Sequence, residues 1–366
     1  MILDRRLYKN FDKGLFIAML LLITVGIITI QSATQARGLP FGDSFVLRQL
    51  NSFAIGIILM LIVINVTYQK FIDMSYILYT INVILLLVVL MVGQARLGAQ
   101  RWFSIGGFAF QPSEFIKLTL ILTLASYAGS KKDTMYRLGS FMIPVLLLSM
   151  PFLLVLLQPD LGTALLLCPI FFAILIVGGV RMKYVAIMAA LGLASLPFFW
   201  HFLREYQRQR LLVFINPNVD PLGAGYTIIQ SKIAVGSGGL FGKGWLSGTQ
   251  NQLNFLPERH TDFIFSVIGE EWGFLGSILL LLLFIFIIKK AFNIALCTND
   301  MHGKLIAIGV GIMLSFQVII NISMTIGVMP VVGVPLPFVS YGGTSLMMNM
   351  VAIGLLLNIS MRRSMF

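Results

Sequence analysis

Residues 256–274, LPERHTDFIFSVIGEEWGF, gather Glu258, Arg259, His260, Asp262, Glu270 and Glu271 in a chain of which only 11% is charged. A carboxylate beside a histidine and an arginine suits proton transfer or the binding of a charged substrate, and Asp262 is the candidate base. Its plainer role is to stabilise a helix N-terminus, worth roughly 0.3–1 kcal/mol. Ser266 and Glu270 follow at four-residue intervals on nearly the same helix face. Glu270 is expected about 12 Å further along the axis. At that depth a carboxylate is functional or is paired with a buried cation or hydroxyl.

A second charged set opens FQPSEFIKL, with Pro112 at the first helical position and Glu114 and Lys117 three apart on one face. The two neutralise each other or line a polar cavity facing the bundle interior. Arg48, Arg101 and Asp160, at the outer ends of neighbouring spans, are assigned to the same cavity. The segment beginning REYQRQR adds Arg204, Arg208, Arg210, Lys232 and Lys243, cations free to serve an anionic ligand or to lie on lipid headgroups. In residues 321–345, Pro330, Pro335, Pro337, Gly342 and Gly343 interrupt apolar sequence and predict a re-entrant or kinked loop, with Ser340 as a further cavity candidate. A transporter gate fits that loop equally well.

The elements that must position these residues are membrane spans. The chain has 366 residues, 58% hydrophobic, with a mean hydropathy of +0.93, and apolar runs long enough for a roughly 30 Å hydrocarbon core recur throughout. They lack the alternation of a β-barrel. The expected fold is all-α and integral to the membrane, one multi-pass domain over 1–366. Its spans are expected near 14–33, 46–66, 71–92, 112–129, 141–158, 161–180, 183–202, 262–289, 304–327 and 341–360, with an extracytoplasmic loop over 203–261 between the seventh and eighth. SATQA after the first span suits a signal peptidase, but the preceding apolar core exceeds a signal h-region and reads as a retained anchor.

The formal net charge is +12. Arg5, Arg6, Lys9, Lys13, Lys70, Lys131, Lys132, Arg137, Arg181, Lys183, Lys289, Lys290, Lys304, Arg362 and Arg363 all fall on one side of such a bundle. That is the positive-inside pattern with both termini cytoplasmic, and it argues against nucleic acid as the reason for the charge. Cys168 and Cys297 imply no disulfide framework. P-loop, GxGxxG, HExxH and CxxC patterns are absent from the sequence.

Five stretches carry a family resemblance: GAQRWFSIGGFAFQPSEFIK at 98–117, QPDLG at 158–162, YQRQR at 206–210, residues 220–271, and 321–345. Together they resemble the SEDS family of bacterial envelope proteins. The chain is most similar to the rod-shape branch, with PERHTDF where the division branch typically has Ala before the His. The resemblance implies a ten-span peptidoglycan glycosyltransferase that polymerises lipid II for cell elongation, with inversion at the donor anomeric carbon and loss of undecaprenyl pyrophosphate. It places the family's essential carboxylate on Asp262 and its cavity residues on Glu114 and Lys117. It also implies a class B penicillin-binding protein as partner, supplying the transpeptidase missing here, alongside other elongation proteins and membrane lipids.

A pyrophosphate leaving group needs positive charge more than a strong acid, so one carboxylate among several cations suffices where a glycosidase uses two carboxylates. Asp262 would act as base on the acceptor hydroxyl or help hold a divalent cation, Mg or Mn. Arg101, Lys117, Arg208 and Arg210 would meet the pyrophosphate. The rival readings are a lipid II flippase, which predicts charged groups reachable from both faces, the division homologue, and a scaffold that needs no buried carboxylate.

Overall fold

The computed structural model describes residues 10–35, 44–96, 99–105, 108–131, 134–203, 205–216, 219–220 and 223–363. Arg5, Arg6, Lys9, Lys132 and Arg204 lie outside the described residues. The chain folds as α1 (Lys13–Gln35), α2 (Phe45–Asn65), a short α3 (Tyr68–Asp73) and α4 (Ser75–Val92). A small sheet of β1 (Gln94–Arg96), β2 (Ala99–Ile105) and β3 (Phe108–Phe110) follows. Then come α5 (Pro112–Ser130), α6 (Leu138–Leu157), α7 (Leu161–Val177), α8 (Met182–Phe199), α9 (Glu205–Ile215), α10 (Ala224–Ser237), α11 (Thr249–Gln252), α12 (Ile264–Cys297), α13 (Met301–Thr325) and α14 (Gly343–Arg362).

A helix stands at each of the ten expected spans. Among the described residues, α1, α2, α4, α6, α12, α13 and α14 are long and apolar enough to cross a membrane. The other three are α5, α7 and α8: α5 carries the buried Glu114 and Lys117, and α7 and the apolar part of α8 are shorter. α13 and α14 form the centre, and α4, α6 and α8 turn Ile77, Leu146 and Leu191 outward, as hydrocarbon-facing surfaces do. α14 lies along α2 because Gly56 and Gly354 leave room for Met350 and Met60. At its end the buried Arg362 donates to Ile64 O at 3.0 Å and Asn65 O at 3.3 Å, satisfying carbonyls that end α2.

Between the third and fourth expected spans, where no helix was expected, the structure adds the antiparallel sheet in the order β1-β2-β3. It corrects the eighth span, which runs to Cys297 and breaks at Gly273, where φ is 66° and ψ −160°. Segment 238–244 fills the break. Lys243 N and Gly244 N donate to Glu270 O and Glu271 O, both at 3.0 Å. Phe274 N and Leu275 N donate to Gly239 O at 2.9 Å and Leu240 O at 3.1 Å. The kinked helix thereby keeps its backbone groups paired. Such an approach needs glycine: a Cβ on Gly238 would stand 1.9 Å from Gly269 O, and one on Gly242, itself at φ +82°, 2.1 Å from Glu271 O. The piece after the break, Phe274–Cys297, is about 36 Å long at 1.5 Å per residue, enough to cross alone. Glu270 lies on the piece before the break.

Candidate functional site

Asp262 sits in a turn just before α12, and the chain around it is pinned residue by residue. Arg259, buried, reaches back to the end of α1, donating through Nε to Ala33 O and through Nη2 to Asn254 Oδ1, both at 2.6 Å. Three consecutive carbonyls are then held by the 321–345 segment. Tyr341 N donates to His260 O at 2.9 Å, Ser340 Oγ to Thr261 O at 2.6 Å, and Asn321 Nδ2 to Asp262 O at 3.0 Å and Val334 O at 2.8 Å. Ser340 Oγ also accepts from Leu336 N at 2.8 Å. The backbone is fixed, and among the described residues the Asp262 carboxylate has no ion pair within 4.0 Å. Gly333, at φ +75°, leaves space beside it, since a Cβ there would stand 3.3 Å from Asp262 Oδ2.

Burial pushes the Asp262 carboxyl up to about 6, with Glu258 and Asp160 adding to the rise and Arg210 and Arg101 opposing it. Arg210 comes from α9 and Arg101 from β2. Both line a small cleft with Pro159, Tyr206, Gln207 and the backbone turn at Pro330–Val332. Asp160 caps α7, accepting from Thr163 N at 3.2 Å, and also accepts from Ser113 Oγ at 3.2 Å and Gln111 Nε2 at 3.3 Å. It thereby ties the start of α5 to Arg101, whose Nη1 stands 3.6 Å from Asp160 Oδ1. A carboxylate that burial raises to about 6, within the field of two guanidinium groups, can take a proton from a hydroxyl while the cations receive a departing anion.

The remaining sequence candidates have partners of their own. Glu114 and Lys117 close on each other at 2.8 Å within α5, both buried. Glu270 accepts from Lys243 Nζ at 2.8 Å, Gln250 N at 3.0 Å and Thr249 Oγ1 at 3.1 Å, so it staples the loop before α12. His260 packs against the rings of Phe45 and Tyr341, with centroids 4.7 and 5.7 Å away. Arg48 is exposed in the first turn of α2. Arg208 turns toward the end of α8, donating to Trp200 O at 3.1 Å and His201 O at 2.9 Å, whereas Arg210 reaches the cleft. Sequence reasoning did not single out Tyr206, Asn321 or Gly333. The signal for the last two was a polar amide and a glycine inside an otherwise apolar stretch.

A divalent cation such as Mg needs only one or two carboxylates beside substrate phosphates, and Asp262 could supply one. Among the described residues no three His, Cys, Asp or Glu side chains gather as ligands, and the charges acting on Asp262 include two guanidinium groups.

The FtsW/RodA/SpoVE family profile, described as "Cell cycle protein", matches residues 13–365. The chain is 40% identical over 357 residues to the peptidoglycan glycosyltransferase MrdB of Escherichia coli K12, covering 97% of this chain and 95% of that protein. It is 39% identical over 356 residues to the stage V sporulation protein E of Bacillus subtilis, covering 95% and 96%. Among solved structures, it is similar to a chain described under the structural coordination of polymerization and crosslinking by a peptidoglycan synthase complex. That match has a TM-score of 0.81 and 34% identity, over 96% of this chain and 98% of that one.

Proposed function

The chain belongs to the FtsW/RodA/SpoVE family of multi-span membrane proteins, and from that premise we propose that it is a peptidoglycan glycosyltransferase polymerising lipid II at the outer face of the cytoplasmic membrane. The observation that carries this reading is the Asp262 carboxylate, without an ion pair among the described residues, held on a pinned backbone and within the field of Arg210 and Arg101. Asp262 takes the proton of the acceptor sugar hydroxyl, and that oxygen attacks the donor anomeric carbon with inversion. The bond from that carbon to the undecaprenyl pyrophosphate breaks, and its electron pair leaves with the pyrophosphate, whose charge Arg101 and Arg210 receive. A divalent cation, Mg or Mn, would be held by Asp262 together with the substrate's phosphates, and polymerisation after chelation tests whether one takes part.

The basic residues of the short loops support an outward-facing site with both termini cytoplasmic. The rod-elongation role rests on the PERHTDF pattern. Identities of 40% to MrdB and 39% to the sporulation protein favour neither branch, so complementation of an elongation-defective strain against a division-defective one decides it. The synthase complex to which the chain is similar supports a class B penicillin-binding protein as partner.

The test is lipid II polymerisation by the purified protein, alone and with that partner's cross-linking blocked, comparing wild type with Asp262→Asn. Glycan strands from wild type and none from a folded variant are expected. Normal polymerisation by the variant would make Asp262 a helix-end residue. Lipid II crossing vesicles with no polymer from either protein would favour a flippase.

A further inference from the structure

Asp160 is not the only part of the QPDLG motif that bears on the site: both of the site's arginines are tied to the carbonyls that precede Asp160. Arg101 donates through Nε to Gln158 O at 2.8 Å and through Nη2 to Pro159 O. The same Pro159 carbonyl accepts from the Tyr206 hydroxyl at 3.0 Å and from Gln207 Nε2 at 3.4 Å. The ring of Tyr206 in turn lies 5.7 Å from the Arg210 guanidinium carbon. Arg210 also makes a long hydrogen bond, 3.4 Å, to Val331 O. One carbonyl thus anchors Arg101 directly and Arg210 through an aromatic ring, and all four residues line the same cleft.

Accepting this enzymatic reading, we propose that Tyr206 is a positioning residue: its hydroxyl on the Pro159 carbonyl fixes the ring, and the ring holds Arg210 across the cleft from Arg101, so that the two guanidinium groups meet one pyrophosphate together. An arginine loses much rotamer freedom on binding, and a stacked, pre-oriented one loses less. A pyrophosphate offers oxygens on two phosphorus centres, which two separately anchored forks can engage at once. Arg208, two residues from Arg210, is engaged with α8 instead, so Tyr206 assigns the α9 cation to the site.

Tyr206→Phe keeps the ring and removes only the hydroxyl. Inorganic pyrophosphate is the probe, first as an inhibitor of polymerisation and then by direct binding. The variant is expected to bind it about five- to tenfold more weakly, the equivalent of one lost hydrogen bond, with an unchanged unfolding temperature. The acid limb of its rate profile is expected to move to higher pH, because Arg210 then opposes the charge-disfavouring effects of burial, Glu258 and Asp160 on Asp262 less well. A loss of rate equal at every pH with unaltered pyrophosphate binding would mean a merely structural hydroxyl and would overturn the proposal, as would no change at all. If neither protein polymerises lipid II, the enzymatic reading fails, and direct binding still decides this one: weaker binding by the variant supports it, and equal binding overturns it.

Discussion

Replacing Asp262 by Asn is expected to remove activity and stabilise the fold at once. The Asp262 carboxyl rises from an ordinary 3.8 to about 6 in the folded protein. Below pH 3.8 both states hold the proton, and the residue's stability contribution is fully present. Between 3.8 and 6 the unfolded chain ionises while the native one keeps its proton, so that stability is lost as pH rises, and above 6 the loss is complete. At about 1.36 kcal/mol per pH unit the penalty is at most about 3 kcal/mol, less the screening by water at a partly exposed group. Asn carries no such penalty. Thermal unfolding in detergent should therefore show Asp262→Asn more stable than wild type at pH 8 and equal to it below pH 4. Lipid II polymerisation should fall by about 10²–10⁴, the range for a lost general base. Wild-type polymerisation should rise about tenfold per pH unit below pH 6 and level off above it. A variant less stable than wild type at pH 8 would show a carboxylate serving the helix end, and the catalytic argument would fall with it.

Gly242→Ala drives a Cβ against Glu271 O and threatens the four backbone bonds that fill the Gly273 break. At roughly 0.5–1.5 kcal/mol each, the loss is roughly 2–6 kcal/mol, and an unchanged unfolding temperature would disprove the role of the loop. Lys117→Met strands the buried Glu114 and should destabilise by roughly 3–5 kcal/mol. Adding Glu114→Gln should recover most of that, and equal losses in single and double variants would mean the pair is not formed. Asn321→Ala frees the carbonyls of Asp262 and Val334. It should lower kcat by about 10²-fold if the turn shifts by about 1 Å, and a normal kcat with only a lower unfolding temperature would confine Asn321 to packing.

The spans were legible because hydropathy is local. Each run of apolar residues declares its own burial whatever surrounds it, and Pro112 marked the start of α5 in the same way. Asp262 was legible as a carboxylate among few charges. Its neighbours were not, because the contacts that define the site join distant parts of the chain. Asn321 holds the carbonyl of Asp262 59 residues away, Ser340 that of Thr261 79 away, and Arg101 bonds the Gln158 carbonyl 57 away. Arg208 and Arg210 looked equivalent in sequence, yet they part at the cleft because two positions on a helix differ by about 200° of rotation. Gly273 read as one more helical residue, since only segment 238–244, folded against it, supplies the hydrogen bonds that let the helix break there. Composition and local pattern by themselves determined a helical membrane protein with a charged segment between its seventh and eighth apolar runs. Which charges meet was decided by tertiary structure alone, because a polar group removed from water takes whatever partner the packing of remote segments brings within about 3 Å.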